Sequence, residues 1–158
     1  MNFLESLIEP TREAAREAFR YAKAVPAEKL SWKPLDAGRS VLDICKEMAQ
    51  CAGWSTQILG GGFGEWNEET QAEMERKTSS WTTPEACEEE CNRQLDAYFA
   101  ALKTFPEERL SEKFQLPFEG GPEITLKQNC EYPLWNFQYH QGQIAYIQTL
   151  YGDKNMYW

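Results

Sequence analysis

The segment WNFQYHQGQ, residues 135–143, contains His140, the single histidine of the 158-residue chain. On a helical wheel of about 100° per residue, Asn136 lies about 40° from His140, Ile144 about 40° to its other side, and Gln143 about 60° away. The apolar Ile144 marks this as a core-facing side, so several polar groups share it. Because an unpaired buried polar group costs about 1–3 kcal/mol, these side chains need polar partners inside the fold.

An acidic side chain in an earlier apolar stretch is the candidate partner. Glu47 lies within about 60° of Trp54 on the wheel, on an inward face, and Gln50 is close beside it. A buried carboxylate requires a cation, a hydrogen-bond donor or its own proton. The pattern therefore predicts that Glu47 faces His140 and Asn136 across the core, with Gln50, Trp54 and Gln143 in the surrounding shell or pocket.

Three kinds of site are compatible with this set of side chains. Glu47, Asn136 and His140 could bind a divalent metal such as Zn, Ni, Mn or Fe, with the amide as the weakest ligand. Without a metal, Glu47 and His140 could act as an acid–base pair if they lie within hydrogen-bond reach. The third possibility is a non-catalytic, hydrogen-bonded network that fixes helix register.

Helical periodicity and capping signals predict the elements that would position these residues. Four long amphipathic helices are expected, each with start or stop signals of a recognised kind: one from about Phe3 to Ala24, one from Ser40 to about Leu59, one from Thr83-Pro84 to the residue before Pro106, and one from Leu126 to about Tyr151. The fourth contains Pro133, which should kink it. We predict an all-α fold, a four-helix bundle in one domain spanning residues 1–158.

Two long connections separate these helices. Residues 63–81 are polar, with a few large apolar residues, and predict a loop with one short helix at most. Residues 113–125 read as two short extended pieces around Gly120-Gly121, which favours a small β-hairpin or an extended crossover before the last helix.

The overall composition excludes several classes of protein. A formal net charge of −9, with scattered Lys and Arg, argues against nucleic-acid binding. We expect neither a membrane span nor an export signal. Five cysteines without a CxxC pair are interpreted as reduced core residues of a cytoplasmic protein.

Two short motifs resemble the DinB/YfiT-like family. Ser40, Glu47 and Trp54 at seven-residue intervals, with SWKP and GRS upstream, are similar to that family's second helix. Asn136, His140 and Gly142-Gln143 are similar to its H-x-x-x-H-x-G-Q signature in the fourth helix. The resemblance implies a four-helix bundle and a site of three metal-binding histidines, of which the matching positions here hold Glu47, Asn136 and His140.

The resemblance also implies a class of function. Members with assigned activities are metal-dependent, thiol-using transferases or isomerases, so we expect a metal-dependent transferase or hydrolase acting on a small molecule or thiol, with Zn, Ni or Mn as cofactor or none. The alternative is a non-catalytic bundle that binds a ligand or partner at a metal-free polar site. The aromatic C-terminus, Asn155 to Trp158, could support a homodimer.

Overall fold

Six α-helices and a two-stranded sheet make up the described part of the chain. The structure, a computed structural model, describes residues 2–63, 67–118 and 120–158. Its elements are α1 (Phe3–Ser6), α2 (Ile8–Lys23), α3 (Val41–Leu59), α4 (Glu68–Ser79), α5 (Pro84–Thr104), β1 (Lys113–Gln115), β2 (Glu123–Thr125) and α6 (Leu126–Leu150). Short 3-10 turns lie at Ala27–Lys29 and Glu107–Arg109. The all-α prediction with a small hairpin is confirmed.

The four long helices surround one apolar core. Helix α3 packs against α5 and α6, and α2 packs against α6. Large buried side chains come from each of them, including Phe19, Ile44, Leu95 and Phe137. All five cysteines are free and buried, as expected for small core residues. Among the helices in the described ranges, none is both long and apolar enough to cross a bilayer.

Capping residues define where the site helices begin. The Ser40 hydroxyl accepts from the backbone N–H of Asp43, whose carboxylate accepts from the Ser40 N–H in return. Thr125 and Gln128 form the same reciprocal capping box at the start of α6. Each box satisfies two backbone donors that a helix start leaves unpaired, so both predicted starts are confirmed.

The first predicted helix is divided in two by a proline. The prediction of one continuous helix from Phe3 to Ala24 is wrong, because α1 ends at Ser6 and α2 begins at Ile8. Pro10 has no N–H to donate to the carbonyl of Ser6, and its ring would clash with that carbonyl in a continuous helix. Restarting at Ile8 places Pro10 in the first turn, where no intrahelical donor is needed.

The connection between α3 and α5 has more regular structure than its composition indicates. Helix α4 has 12 residues, from Glu68 to Ser79, and opens with a capping box between Asn67 and Thr70. None of its residues is buried. This explains the prediction of a loop with at most one short helix, since a helix that buries no side chain carries little apolar periodicity. Residues 64–66 of this connection lie outside the described ranges.

Helix α6 continues through Pro133, which is buried. Pro133 cannot donate to the carbonyl of Asn129 four residues earlier, but the Ser55 hydroxyl on α3 donates to that oxygen at 3.2 Å. The Asn129 side-chain amide in turn donates to the Ser55 carbonyl at 3.0 Å. The bond that proline removes within α6 is thus replaced by a reciprocal contact between α3 and α6.

Candidate functional site

Glu47 on α3 meets two polar side chains of α6. Its Oε1 accepts a hydrogen bond from Asn136 Nδ2 at 3.1 Å and lies 2.9 Å from His140 Nε2. The Glu47 side chain is 24% exposed, whereas Asn136 and His140 are each 1% exposed. The structure therefore brings these three residues together, with Glu47 on the solvent side and the other two behind it.

The second ring nitrogen of His140 is engaged within α6. Its Nδ1 lies 2.6 Å from Gln143 Oε1, so both ring nitrogens face oxygen atoms. A ring nitrogen that carries a proton can donate to the oxygen that it faces. Gln143 thus orients the ring, in keeping with its expected position on the inner edge of the helix.

Arg39, which the sequence analysis did not single out, is the cation of the site. One guanidinium nitrogen donates to Glu47 Oε2, and the other donates to the backbone carbonyl of Asp43 at 3.2 Å. Arg39 precedes the Ser40 cap and therefore lies outside the helical periodicity that identified Glu47. The signal that could have identified it is its place in the GRS motif, directly before a helix carrying an inward acid.

Tyr132 is the other contributor that sequence reasoning missed. Asn136 Nδ2 donates to the Tyr132 hydroxyl at 3.1 Å as well as to Glu47. The Asn136 Oδ1 atom is buried and has no hydrogen-bond partner among the described residues. Burial raises the pKa of Tyr132, so its hydroxyl stays protonated at neutral pH.

Electrostatics keep Glu47 ionised. The hydrogen bond from His140 is the largest cause lowering its pKa, burial opposes that effect, and Arg39 lowers the pKa further, to about 2. The carboxylate is therefore charged at neutral pH and is a weak base. As an anion, it binds the hydrogen-bond donors of Arg39, Asn136 and His140.

A cleft between α3 and α4 gives access to Glu47. Its volume is about 370 Å³, near the lower end of the range for small-molecule pockets. Glu47, Gln50 and Trp54 line its α3 side, and Met74 lies on its α4 side. The amide of Gln50 donates to the Lys46 carbonyl at 2.8 Å. Gln50 and Trp54 are thus cleft-wall residues, outside the hydrogen bonds that join Glu47, Asn136 and His140.

Comparison with known proteins assigns the family. The model of the DinB family matches residues 1–156. The chain belongs to the DinB family. No curated protein matches this chain.

Solved structures share the DinB fold at low sequence identity. YfiT from Bacillus subtilis, described as a probable metal-dependent hydrolase with an unusual four-helix bundle topology, has a TM-score of 0.74 and 14% identity, covering 96% of this chain and 90% of its own. A conserved protein from Enterococcus faecalis has a TM-score of 0.69 and 12% identity, covering 95% and 97%. The colibactin self-resistance protein ClbS, in complex with a dsDNA, has a TM-score of 0.63 and 14% identity, covering 92% and 95%.

In the arrangement described, the donor set of this DinB-family chain fits a resident divalent metal poorly. Within the described ranges, no three His, Cys, Asp or Glu side chains are grouped so that they could hold a metal ion. Glu47 is the one anionic side chain among the three candidate ligands, and Arg39 already neutralises it. Asn136 presents its N–H groups to the carboxylate, whereas a metal requires its oxygen. The arrangement fits a hydrogen-bonded network.

Proposed function

We propose that this DinB-family protein is a small-molecule-binding bundle whose polar site works without a resident metal. One observation carries the proposal: both carboxylate oxygens of Glu47 are bound by side chains, Oε2 by Arg39 and Oε1 by His140 and Asn136. Arg39 supplies, from within the chain, the positive charge that a metal would supply.

The state of the cluster favours binding over acid–base catalysis. The His140 side chain is 2% exposed, and both of its nitrogens are engaged. A general acid or base must reach the proton that it transfers, and the low pKa of Glu47, about 2, makes it a weak base. Glu47 and its hydrogen-bond partners are better suited to holding one wall of the cleft in place and to setting the charge of that wall.

The cleft itself indicates the ligand class. Trp54 and Met74 offer apolar surface, and Lys46 lines the cleft beside them. Lys46 forms no ion pair with the described residues, so its ammonium is available to an anionic group. We infer a small molecule with an apolar part and a carboxylate or thiolate; low-molecular-weight thiols such as glutathione and cysteine are the first probes.

Elemental analysis tests the metal-free part of the proposal. The purified native protein is expected to contain far less than one Zn, Ni, Mn or Fe per chain, and added metal should leave its melting temperature unchanged. The double variant Arg39→Met with Asn136→His removes the fixed cation and offers two imidazoles and a carboxylate. We expect it to bind Zn or Ni, whereas Lys46→Met with Asn136→His, which keeps Arg39, should bind far more weakly.

Titration calorimetry tests the ligand part. Glutathione or cysteine should bind the native protein, and Trp54→Ala and Lys46→Met should each weaken binding. Gln138→Ala, an exposed change on α6, is the matched control and should leave affinity unchanged. Equal binding by the native protein, Trp54→Ala and Lys46→Met would refute the assignment of the cleft.

A second candidate function is a metal-dependent hydrolase or thiol-dependent transferase with Glu47, Asn136 and His140 as ligands of Zn, Ni or Mn. It is supported by the fold shared with YfiT and by the unpartnered Asn136 Oδ1. Stoichiometric metal in the native protein, lost in both Glu47→Ala and His140→Ala, would establish this candidate and refute the metal-free one.

The net charge and the cysteines support a proposal about the partners and the compartment of the protein. The net charge of −9 opposes association with a polyanion, so we propose that the chain binds no nucleic acid. The dsDNA in the ClbS complex makes duplex DNA the appropriate probe, and a mobility shift at moderate salt would overturn this proposal. Five free buried thiols are in keeping with a reducing, cytoplasmic setting.

A further inference from the structure

Helix α4 rests on the bundle through one narrow face. None of its residues is buried, and only Thr70, Met74 and Thr78 are half-buried. These positions are four residues apart, so they form one line along the helix, and Met74 is the single large apolar side chain in that line. Helix α3, by contrast, buries residues along its whole length. Burial of apolar area therefore fixes α3 in the core but contributes little to holding α4 in place.

The same helix forms one wall of two neighbouring clefts. The first is the cleft of about 370 Å³ that reaches Glu47, and the second, of about 220 Å³, lies between α4, α3 and α5. Gln50 and Trp54 of α3 line both clefts, and so does Met74 of α4. Because the α3 wall belongs to the packed core, a movement of α4 would widen both clefts together.

Within the described ranges, one ion pair joins α4 to another helix. Lys77 Nζ lies 2.8 Å from Glu90 Oε1 on α5. The Lys77 side chain is 48% exposed, whereas that of Glu90 is 12% exposed. Since one end of the pair is largely sheltered from water, the attraction is screened less than in a fully exposed pair.

Glu90 keeps its position without help from α4. Arg93 Nε and Gln94 Nε2 donate to its carboxylate at 2.9 and 2.6 Å. The Gln94 side chain in turn lies against Gly53 of α3, where an added Cβ would collide with Gln94 Oε1. The acceptor of the ion pair is thus fixed to the core helices, and Lys77 is the movable partner.

The two ends of α4 differ in how firmly they are attached. Trp81, two residues after the end of the helix, is 7% exposed and belongs to the apolar core. Lys77 Nζ lies 5.6 Å from the centre of the Trp81 ring. At the other end, Asn67, Glu68 and Glu69 are all exposed. A helix that is anchored at its end and exposed at its start can turn about the anchored end.

We propose that α4 is a lid that turns about Trp81 and is held closed over both clefts by the ion pair between Lys77 and Glu90. Opening breaks this pair and moves Met74 away from the α3 wall, while Glu90 keeps its bonds to Arg93 and Gln94. Such a lid admits a ligand to the clefts and then encloses it. The lid depends on the geometry of the clefts and not on the identity of their ligand.

Hydrogen exchange of the whole chain, measured by mass spectrometry, tests the lid without a ligand. A helix of this length is marginal in water on its own, so α4 loses its backbone hydrogen bonds when it detaches. In the native protein its amides should exchange at least about tenfold faster than those of α3 and α5.

Substitutions at the ion pair test the latch. Lys77→Met and Glu90→Gln should each speed exchange in α4 by a further factor of about three to five. The two together should do no more than either alone, because both remove the same pair. Lys77→Arg keeps the pair and should exchange at the native rate. Glu89→Gln, the same change at an exposed position of α5, is the matched control and should change nothing.

Alkylation of one introduced thiol tests whether opening exposes the clefts. Because the native thiols are buried, Gln50→Cys provides the reactive cysteine, and Lys77→Met should speed its reaction with N-ethylmaleimide. Ala97→Cys, on an exposed position of α5, should react at a rate that Lys77→Met leaves unchanged. Exchange in α4 as slow as in α3, exchange unaffected by Lys77→Met, or a Gln50→Cys rate unaffected by Lys77→Met would each overturn the proposal; circular dichroism verifies that every variant is folded.

Discussion

Replacing Glu47 by glutamine tests whether the charge of this side chain stabilises the contact between α3 and α6. The pKa of Glu47 falls from 4.5 to about 2 on folding, which corresponds to about 3 kcal/mol of stabilisation at neutral pH. The side chain is 24% exposed, and solvent screening reduces this to about 2 kcal/mol. Glu47→Gln keeps the shape but leaves Arg39 and His140 without their anion.

The stabilisation should depend on pH with a defined sign. Because folding lowers the pKa of Glu47, its contribution is fully present above 4.5, falls as the pH drops towards 2, and is lost below both values. The free energy of unfolding of Glu47→Gln should therefore lie about 2 kcal/mol below that of the native protein at pH 7. The two proteins should converge as the pH approaches 2.

Urea unfolding followed by tryptophan fluorescence, repeated at several pH values from about 7 to about 3, measures this difference. In thermal unfolding at neutral pH, the same loss of stability corresponds to a melting temperature lower by about 4–8 °C. Glu123→Gln is the control, because Glu123 pairs with Lys113 at an exposed site and should give no pH-dependent difference. A Glu47→Gln variant as stable as the native protein at pH 7, or a deficit that stays constant down to pH 3, would refute the reasoning.

Three further substitutions extend the test. Arg39→Met removes one cause of the low pKa of Glu47, so acid unfolding should begin at higher pH than in the native protein; an unchanged midpoint would contradict the role given to Arg39. Ser55→Ala leaves the Asn129 carbonyl without its donor and should lower the free energy of unfolding by about 1–3 kcal/mol in urea. In Gly142→Ala the added Cβ meets open space within a helix. The free energy of unfolding should rise by about 0.5–1 kcal/mol, and the melting temperature of the variant should rise with it.

Much of the fold could be predicted because the local signals are strong. Ser40 with Asp43, and Thr125 with Gln128, are reciprocal caps readable at a spacing of three residues. Helix α4 was harder to predict, because a helix that buries none of its residues shows no apolar face. The break at Pro10 was missed because apolar periodicity continues across it, and the physical cause is one missing N–H group.

The part of the candidate site that lies on regular helices could be predicted from the sequence. Glu47 and His140 each lie on the inward side of a regular helix, so wheel angles alone placed them opposite one another. Arg39 could not be found in this way, since it precedes the α3 cap and reaches the site through a long side chain. Tyr132 lies off the inward face, and its hydroxyl reaches Asn136 because the ring extends past the helix edge.

The reciprocal contact between Ser55 and Asn129 separates the alignment of the helices from the chemistry of the site. Ser55 lies about 12 Å along α3 from Glu47, and neither Ser55 nor Asn129 titrates or carries charge. A slide of one turn between α3 and α6, about 5.4 Å, would break this contact whatever the state of the carboxylate. Residue types at the site can therefore change while the two helices keep their register, because the alignment of this DinB bundle does not depend on Glu47 or Asn136 alone.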